Sequence, residues 1–169
     1  MFDRRWRWTG SSNRYSAIFL PVDKTLLLQH LKALLRQKLD DAKNEIASTR
    51  ETFIRDTKSS AGDKHEVGRA MVQQELDKLE DQHAKLIVLQ QELARVPLER
   101  VFDRVAFGSL VTTDQGCCFV AIGLGRNAVA SDTFFAVSLA SPIGQALNGK
   151  RVGEAAFFNG KSITVLDIA

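Results

Sequence analysis

The sequence predicts an α+β protein, in which a long antiparallel α-helical coiled-coil hairpin precedes an antiparallel β-sheet domain with one short helix. Apolar residues recur at spacings of three and four over residues 23–96, which is the period of an amphipathic helix. A short break, Ser59-Ser60-Ala61-Gly62, divides this region in two. From residue 107 onward the apolar period becomes two, which indicates strands.

The first helical segment begins near Asp23, which is a plausible N-cap. No Gly or Pro occurs between Val22 and Ser60. The pattern therefore predicts a helix of roughly 35 residues, about 50 Å long at 1.5 Å per residue. Its apolar stripe contains Leu28, Leu31, Leu35, Leu39, Ala42, Ile46, Thr49 and Phe53.

The second helical segment ends before Val96-Pro97, because the residue that precedes a proline disfavours the helical conformation. Each helix alone would leave its leucine stripe in water, so we expect the two to fold back against each other. We interpret His83 as a packed histidine on this stripe. The stripe contains Val72, Leu76, Leu79, His83, Leu86, Leu89 and Leu93.

The pattern of the C-terminal part predicts about five strands of one antiparallel sheet, at residues 108–113, 117–123, 133–139, 155–158 and 161–167. Asn159-Gly160 is a strong signal for a two-residue hairpin turn. A short helix is predicted after the third strand, with Ser141 as its N-cap and Pro142 as its first residue. Ile122-Gly123-Leu124-Gly125 lacks a third glycine and a following helix, so we interpret it as a strand end and not a dinucleotide loop.

Composition and charge favour a cytoplasmic protein without a membrane span, since 44% of the 169 residues are hydrophobic and 25% are charged. The formal net charge is +3, and residues 1–22, with four Arg and one Asp, account for all of it. The remaining chain is therefore not a basic binding surface by count. We expect residues 1–22 to be a mobile extension; an aromatic, basic arm that stacks on nucleic acid is the alternative.

No catalytic set is recognisable in the sequence. Cys117 and Cys118 are adjacent, so in a strand they would point to opposite faces, and we expect two free structural thiols in a reducing compartment. No Ser/His/Asp or Cys/His set has a recognisable spacing, and the histidines lack the neighbours of a zinc site. These absences argue against a self-contained hydrolase or transferase.

The turn between the two helices carries two acids, Asp63 and Glu66, three residues apart. If the second helix begins near Gly62, both carboxylates share one face of its first turn. Two acids at an exposed tip are well placed to be offered to a partner. A purely structural role is also open, because Asp63 can cap the helix with Glu66 completing a capping box.

At these residues the chain resembles the Gre family of bacterial transcript cleavage factors. Gly62-Asp63-Lys64-His65-Glu66 is similar to the family's Gly-Asp-x-x-Glu between the helices, and Phe107-Gly108-Ser109 is similar to the opening of its C-terminal domain. Ser141-Pro142-Ile143 and the following Ala146-Leu147-x-Gly149-Lys150-x-x-Gly153 match the signature of that domain. The resemblance runs from about residue 23 to residue 169.

The resemblance implies an N-terminal extension at 1–22, a coiled-coil hairpin at 23–96 with its tip at 58–66, and an FKBP-like polymerase-docking domain at 98–169. It implies a monomeric accessory factor, not an enzyme, that binds RNA polymerase at the rim of its secondary channel. Asp63 and Glu66 would then help hold the polymerase's Mg²⁺, so that backtracked RNA is cleaved near its 3′ end. No cofactor of its own is implied.

The resemblance also assigns roles to other residues. Ser141, Pro142 and Ile143 lie in the segment that would dock on polymerase. Apart from the resemblance, Lys58, Lys64 and Arg69 add positive charge near the tip that could attract RNA phosphate, so they are candidate contacts to RNA.

Departures from the family pattern leave other functions open. Val67-Gly68-Arg69-Ala70 stands where cleavage factors usually have Asn-Ala-Glu-Tyr, so an acid is replaced by Arg69. A regulator or inhibitor that occupies the channel without stimulating cleavage is therefore the alternative. A prolyl isomerase is a third hypothesis, which the absence of Trp and Tyr after Tyr15 opposes. A generic helical adaptor is the fourth.

Overall fold

The computed structural model describes residues 23–59, 64–129 and 132–169. The chain divides into two compact units. Residues 28–96 form the first unit; residues 97–169, together with 23–27, form the second. The predicted N-terminal extension, residues 1–22, lies outside the described residues. No helix in the described ranges is long and apolar enough to cross a membrane.

The first helix, α1 (Lys24–Ser59), has 36 residues, as the uninterrupted apolar period predicted. Asp23 caps it: the backbone N–H of Thr25 donates a hydrogen bond of 2.8 Å to Oδ1 of Asp23. This bond satisfies one of the backbone donors that the first turn of a helix leaves without a partner. The predicted N-cap is confirmed.

The second helix, α2 (Lys64–Ala94), pairs with α1 as a helical hairpin. Ile46 of α1 and Leu76 and Leu79 of α2 form a buried cluster, against which Val72 packs. Arg50 donates a hydrogen bond to Glu80 across the pair, but both side chains are about half exposed. An exposed ion pair contributes little to stability. The buried cluster of Ile46, Leu76 and Leu79, which we call the apolar seam, therefore provides most of the stability of the hairpin.

The C-terminal unit contains a six-stranded mixed sheet in the order β3-β4-β2-β1-β6-β5. The strands are β1 (Leu110–Thr113), β2 (Gly116–Val120), β3 (Gly125–Val129), β4 (Asp132–Val137), β5 (Ala155–Phe158) and β6 (Lys161–Ile168). The α+β prediction is confirmed, but the sheet is not antiparallel throughout. β2 and β4 are parallel, with Cys118 opposite Phe135, because β3 intervenes in the chain and forms a hairpin with β4.

Strand β3 was not predicted. Its sequence, Gly-Arg-Asn-Ala-Val, has no alternating apolar pattern, and only Asn127 within it is buried. The Asn127 side chain donates a hydrogen bond of 2.9 Å to the backbone oxygen of Gly125. β3 is therefore stabilised by backbone pairing with β4 and by a local side-chain hydrogen bond. Neither interaction produces an alternating apolar pattern in the sequence.

The predicted local turns are present. Asn159 and Gly160 join β5 to β6 with φ values of 50° and 73°, as a two-residue turn with both residues in the left-handed region requires. Ile122-Gly123-Leu124 is a turn that leads into β3, not into a helix. The short helix α3 (Pro142–Leu147) begins after Ser141, with Pro142 at the predicted first position.

One core cluster of the C-terminal unit lies on the face of the sheet that contacts α3. Leu147 of α3 is fully buried there, and Ile143 and Ala146 pack against the same cluster. The buried cluster contains Val105, Val111, Cys118, Val120, Val137, Leu147, Ala156, Ile163 and Val165. Alternate residues of β2, β5 and β6 thus supply one apolar face, as the period of two predicts.

We predict that Leu79→Ala lowers the free energy of unfolding of the hairpin by about 2–3 kcal/mol, because it removes a buried side chain and leaves a cavity. The control is Val88→Ala in the same helix, where the side chain is 52% exposed. It should change the free energy by less than about 0.5 kcal/mol. Urea titrations followed by far-ultraviolet circular dichroism measure both, and equal losses would contradict the assignment of the seam.

Candidate functional site

The turn of the hairpin lies between Ser59, the last residue of α1, and Lys64, the first residue of α2. Asp63 lies outside the described residues, so its predicted capping role and its predicted functional role both stay predictions. Glu66 belongs to the first turn of α2, and Lys58 to the last turn of α1. The backbone therefore places Lys58, Lys64 and Glu66 beside the turn.

Arg69 and Gly68 are exposed in the second turn of α2. Arg69 follows Glu66 by three positions, and residues three apart lie on the same side of a helix. A positive side chain on that side reduces the net negative charge of the tip. The departure from the cleavage-factor pattern at Arg69 thus falls on the surface of the helix and not in its packed seam.

The predicted docking segment forms the start of α3. Oγ of Ser141 accepts a hydrogen bond of 3.1 Å from the backbone N–H of Gly144 and donates one of 2.7 Å to the backbone oxygen of Ser138. The hydroxyl is therefore occupied inside the unit. Pro142 is exposed, and Ile143 is half-buried against the core, so these two side chains are the ones that can present apolar surface.

Gly144 lets α3 approach the loop that follows β4. A Cβ atom at this position would lie 2.0 Å from the backbone oxygen of Ser138, far inside contact distance. Any larger residue would push the helix away from the loop. Sequence reasoning did not single out Gly144, because the approach depends on a neighbour six positions earlier whose path only the fold defines.

A cavity of about 540 Å³ opens on the same face of the sheet. Ser141 and Ile143 belong to its wall, so the predicted docking segment borders the cavity. Its apolar lining consists mainly of Cys118, Phe135, Val137, Ile143, Phe158 and Ile163. The alternation of side chains along each strand predicts which residues share a face of the sheet. The sequence does not predict that α3 and the sheet leave a cavity between them.

The two cysteines are free thiols, as predicted, and Cys118 is buried. Burial raises the pKa of Cys118 to about 11. The pKa of Cys117 is raised to about 12, mainly by burial and further by the Cys118 thiolate, which forms at a similarly high pH, and by the negative charge of Asp132. Both groups are neutral thiols near neutral pH, which is the opposite of an activated nucleophile.

No protein-family model and no curated protein matches the chain. A solved structure described as that of the transcription factor Gfh1 is similar at 21% sequence identity, with a TM-score of 0.33. The similarity covers 81% of this chain and 92% of the other.

Two glycine substitutions should have opposite effects on stability. Gly144→Ala should destabilise the C-terminal unit by about 1–3 kcal/mol or more, because the new methyl group overlaps the backbone of Ser138. Gly68→Ala should stabilise α2 by about 0.5–1 kcal/mol, because an added Cβ meets nothing within 4 Å and alanine favours the helix. Thermal unfolding measures both; a stabilising Gly144→Ala would contradict the close approach.

Thiol reactivity should be low in the folded protein. At pH 8 a thiol with a pKa of about 11 has roughly 100-fold less thiolate than one with the ordinary value of about 9, and burial slows attack further. We expect a chromogenic disulfide reagent to label the denatured chain at least ~100-fold faster than the native chain. Equal rates at pH 8 would contradict the burial of the pair.

The same pKa shifts carry a dependence of stability on pH. The pKa of each thiol is higher in the folded protein than in the unfolded chain. The contribution of the two thiols to the free energy of unfolding is therefore fully present below pH 9.0, the unfolded pKa, and is lost as the pH rises through about 11 to 12.

Proposed function

We propose that the protein is a transcription factor similar to the Gre family, which binds RNA polymerase and inserts its helical hairpin into the secondary channel. There the tip would stimulate cleavage of backtracked RNA. The observation that carries the proposal is the pair of long helices whose connecting turn lies between Ser59 and Lys64, with Glu66 in the first turn that follows.

The dimensions of the hairpin suit this task. Helices of 36 and 31 residues extend roughly 45–55 Å at 1.5 Å per residue. A channel that leads to a buried reaction centre admits a rod of two helices but not a globular domain. The apolar seam through Ile46, Leu76 and Leu79 lies between the helices, so the outer faces that would meet the walls of a channel are largely polar and charged, with a few exposed apolar side chains such as Met71 and Val88.

The proposed chemistry needs two carboxylates and no complete metal site. Among the described residues, no three His, Cys, Asp or Glu side chains come together as metal ligands. Mg²⁺ commonly takes one or two protein carboxylates and completes its shell with waters and phosphate oxygens. Asp63 and Glu66 would supply the carboxylates, and the polymerase and the RNA would supply the rest. Mg²⁺ held in this way would supply activation of a water and stabilisation of the leaving oxygen.

The docking residues would act through apolar surface. Pro142 is exposed and Ile143 borders the cavity, whereas the hydroxyl of Ser141 already has two partners. Ser141 would therefore act by fixing the start of α3. In this proposal the chain is a cytoplasmic monomer, and Lys58, Lys64 and Arg69 contact RNA only within the polymerase complex.

A second candidate function is occupation of the channel without cleavage. The exposed position of Arg69, on the same side of α2 as Glu66, favours it. A positive charge there competes with the recruitment of a cation by the tip. Such a factor would bind polymerase and slow nucleotide addition.

The test uses stalled, backtracked elongation complexes with Mg²⁺. Asp63→Asn and Glu66→Gln each remove one negative charge and should slow release of RNA fragments at least about tenfold, which corresponds to about 1.4 kcal/mol. The control is Glu51→Gln, a change of the same kind at an exposed position of α1, which should leave the rate unchanged. Pull-down with core polymerase should be equal for all four proteins.

The outcomes separate the hypotheses. Fragments released at the same rate by the wild type and Asp63→Asn would show that the tip is not catalytic. A wild-type chain that binds polymerase, slows nucleotide addition and releases no fragments would favour channel occupation alone. A chain that is not retained by core polymerase would overturn both candidates.

A further inference from the structure

The cavity in the C-terminal unit has an apolar floor made by four elements. Cys118 and Val137 come from the parallel pair β2 and β4, Ile163 comes from β6, and Ile143 comes from α3. The volume of about 540 Å³ falls within the range of sites that hold whole small molecules.

Two hydroxyl groups on the wall, those of Thr113 and Ser141, are already hydrogen-bonded. Oγ1 of Thr113 donates to the backbone oxygen of Gly116 at 2.7 Å and accepts from the backbone N–H of Gln115 at 3.2 Å. Ser141 likewise has both a donor and an acceptor partner. These groups do not require a polar ligand, so the part of a ligand that reaches the floor should be apolar.

Positive charge borders the opening of the cavity. Lys161, at the start of β6, belongs to the wall of the cavity and is exposed to solvent. Arg126 shares the face of the sheet on which Phe135 lines the cavity, because it lies directly opposite Phe135 in the antiparallel pair β3–β4, but it is not part of the wall. Neither cation has an ion pair with any acid in the part of the chain that the structure describes, and the cavity wall itself contains no acid.

We propose that this cavity binds a small amphiphilic carboxylate, such as a medium-chain fatty acid. The hydrocarbon chain would lie on the floor formed by Cys118, Val137, Ile143 and Ile163, and the carboxylate would lie at the opening, beside Lys161. The apolar floor provides affinity through burial of hydrocarbon, and the cation selects an anionic head group over a neutral one. Binding in this site does not depend on polymerase.

The probes are decanoate and the neutral decanol, titrated below their micelle or solubility limits into the full-length, ¹⁵N-labelled protein. Both should shift the amide resonances of Phe135, Ile143 and Ile163, and decanoate should bind more tightly. Lys161→Gln should weaken decanoate about two- to fivefold, the range of an exposed ion pair, and leave decanol unchanged. The control, Lys85→Gln, removes an exposed lysine of α2 and should change neither affinity.

A second variant tests the cavity independently of charge. Gly123 lines the cavity, and a Cβ built there meets only Ser138, at the ordinary contact distance of 3.7 Å. Gly123→Leu should fill part of the space and weaken both probes, whereas Gly123→Ala should weaken them less. The proposal is overturned if decanoate causes no shifts at these amides, if its shifts are scattered over the hairpin, or if decanol and decanoate bind wild type and Lys161→Gln alike.

Discussion

The apolar seam between α1 and α2 is the interaction on which the proposed function depends. A long helix in water is only marginally stable by its own propensity, so these two depend on packing against each other. Ile46, Leu76 and Leu79 supply a buried contact between them, while the ion pair of Arg50 and Glu80 is exposed and contributes little. Without this contact the two helices would not stay paired, and Glu66 would not be held at one end of a long hairpin.

Local patterns made the helices and the caps predictable. The period of the leucines, the absence of Gly and Pro, and the N-cap signals at Asp23 and Ser141 each act within a few residues, so the chain shows them directly. Strand β3 could not be found in this way, because its pairing with β4 exists only in the folded sheet. The parallel pairing of β2 with β4 could not be predicted for the same reason, because it follows from the presence of β3 between these two strands in the chain.

The candidate sites also differ in whether local sequence can reveal them. The tip acids and the Ser-Pro-Ile segment are contiguous in the sequence, so a resemblance could point to them. The cavity is assembled from Cys118, Phe135, Ile143 and Ile163, which lie on four different elements. Lys161, the cation on its wall, lies 43 positions after Cys118, and only the folded unit brings the two to one cavity. The sequence contains no signal for this site other than the alternation of apolar and polar residues along each strand.

The two units therefore offer different chemistry to a partner. Hydrogen bonds fix Ser141 and close contact fixes Gly144, so the start of α3 is a rigid border that holds Pro142 outward beside an apolar cavity. The hairpin buries part of its apolar surface between its helices, and its exposed surface is largely polar and charged, with a few apolar side chains such as Met71 and Val88. In the proposed function, the start of α3 would therefore supply an apolar contact to the partner, while the hairpin would enter the channel through a largely polar surface.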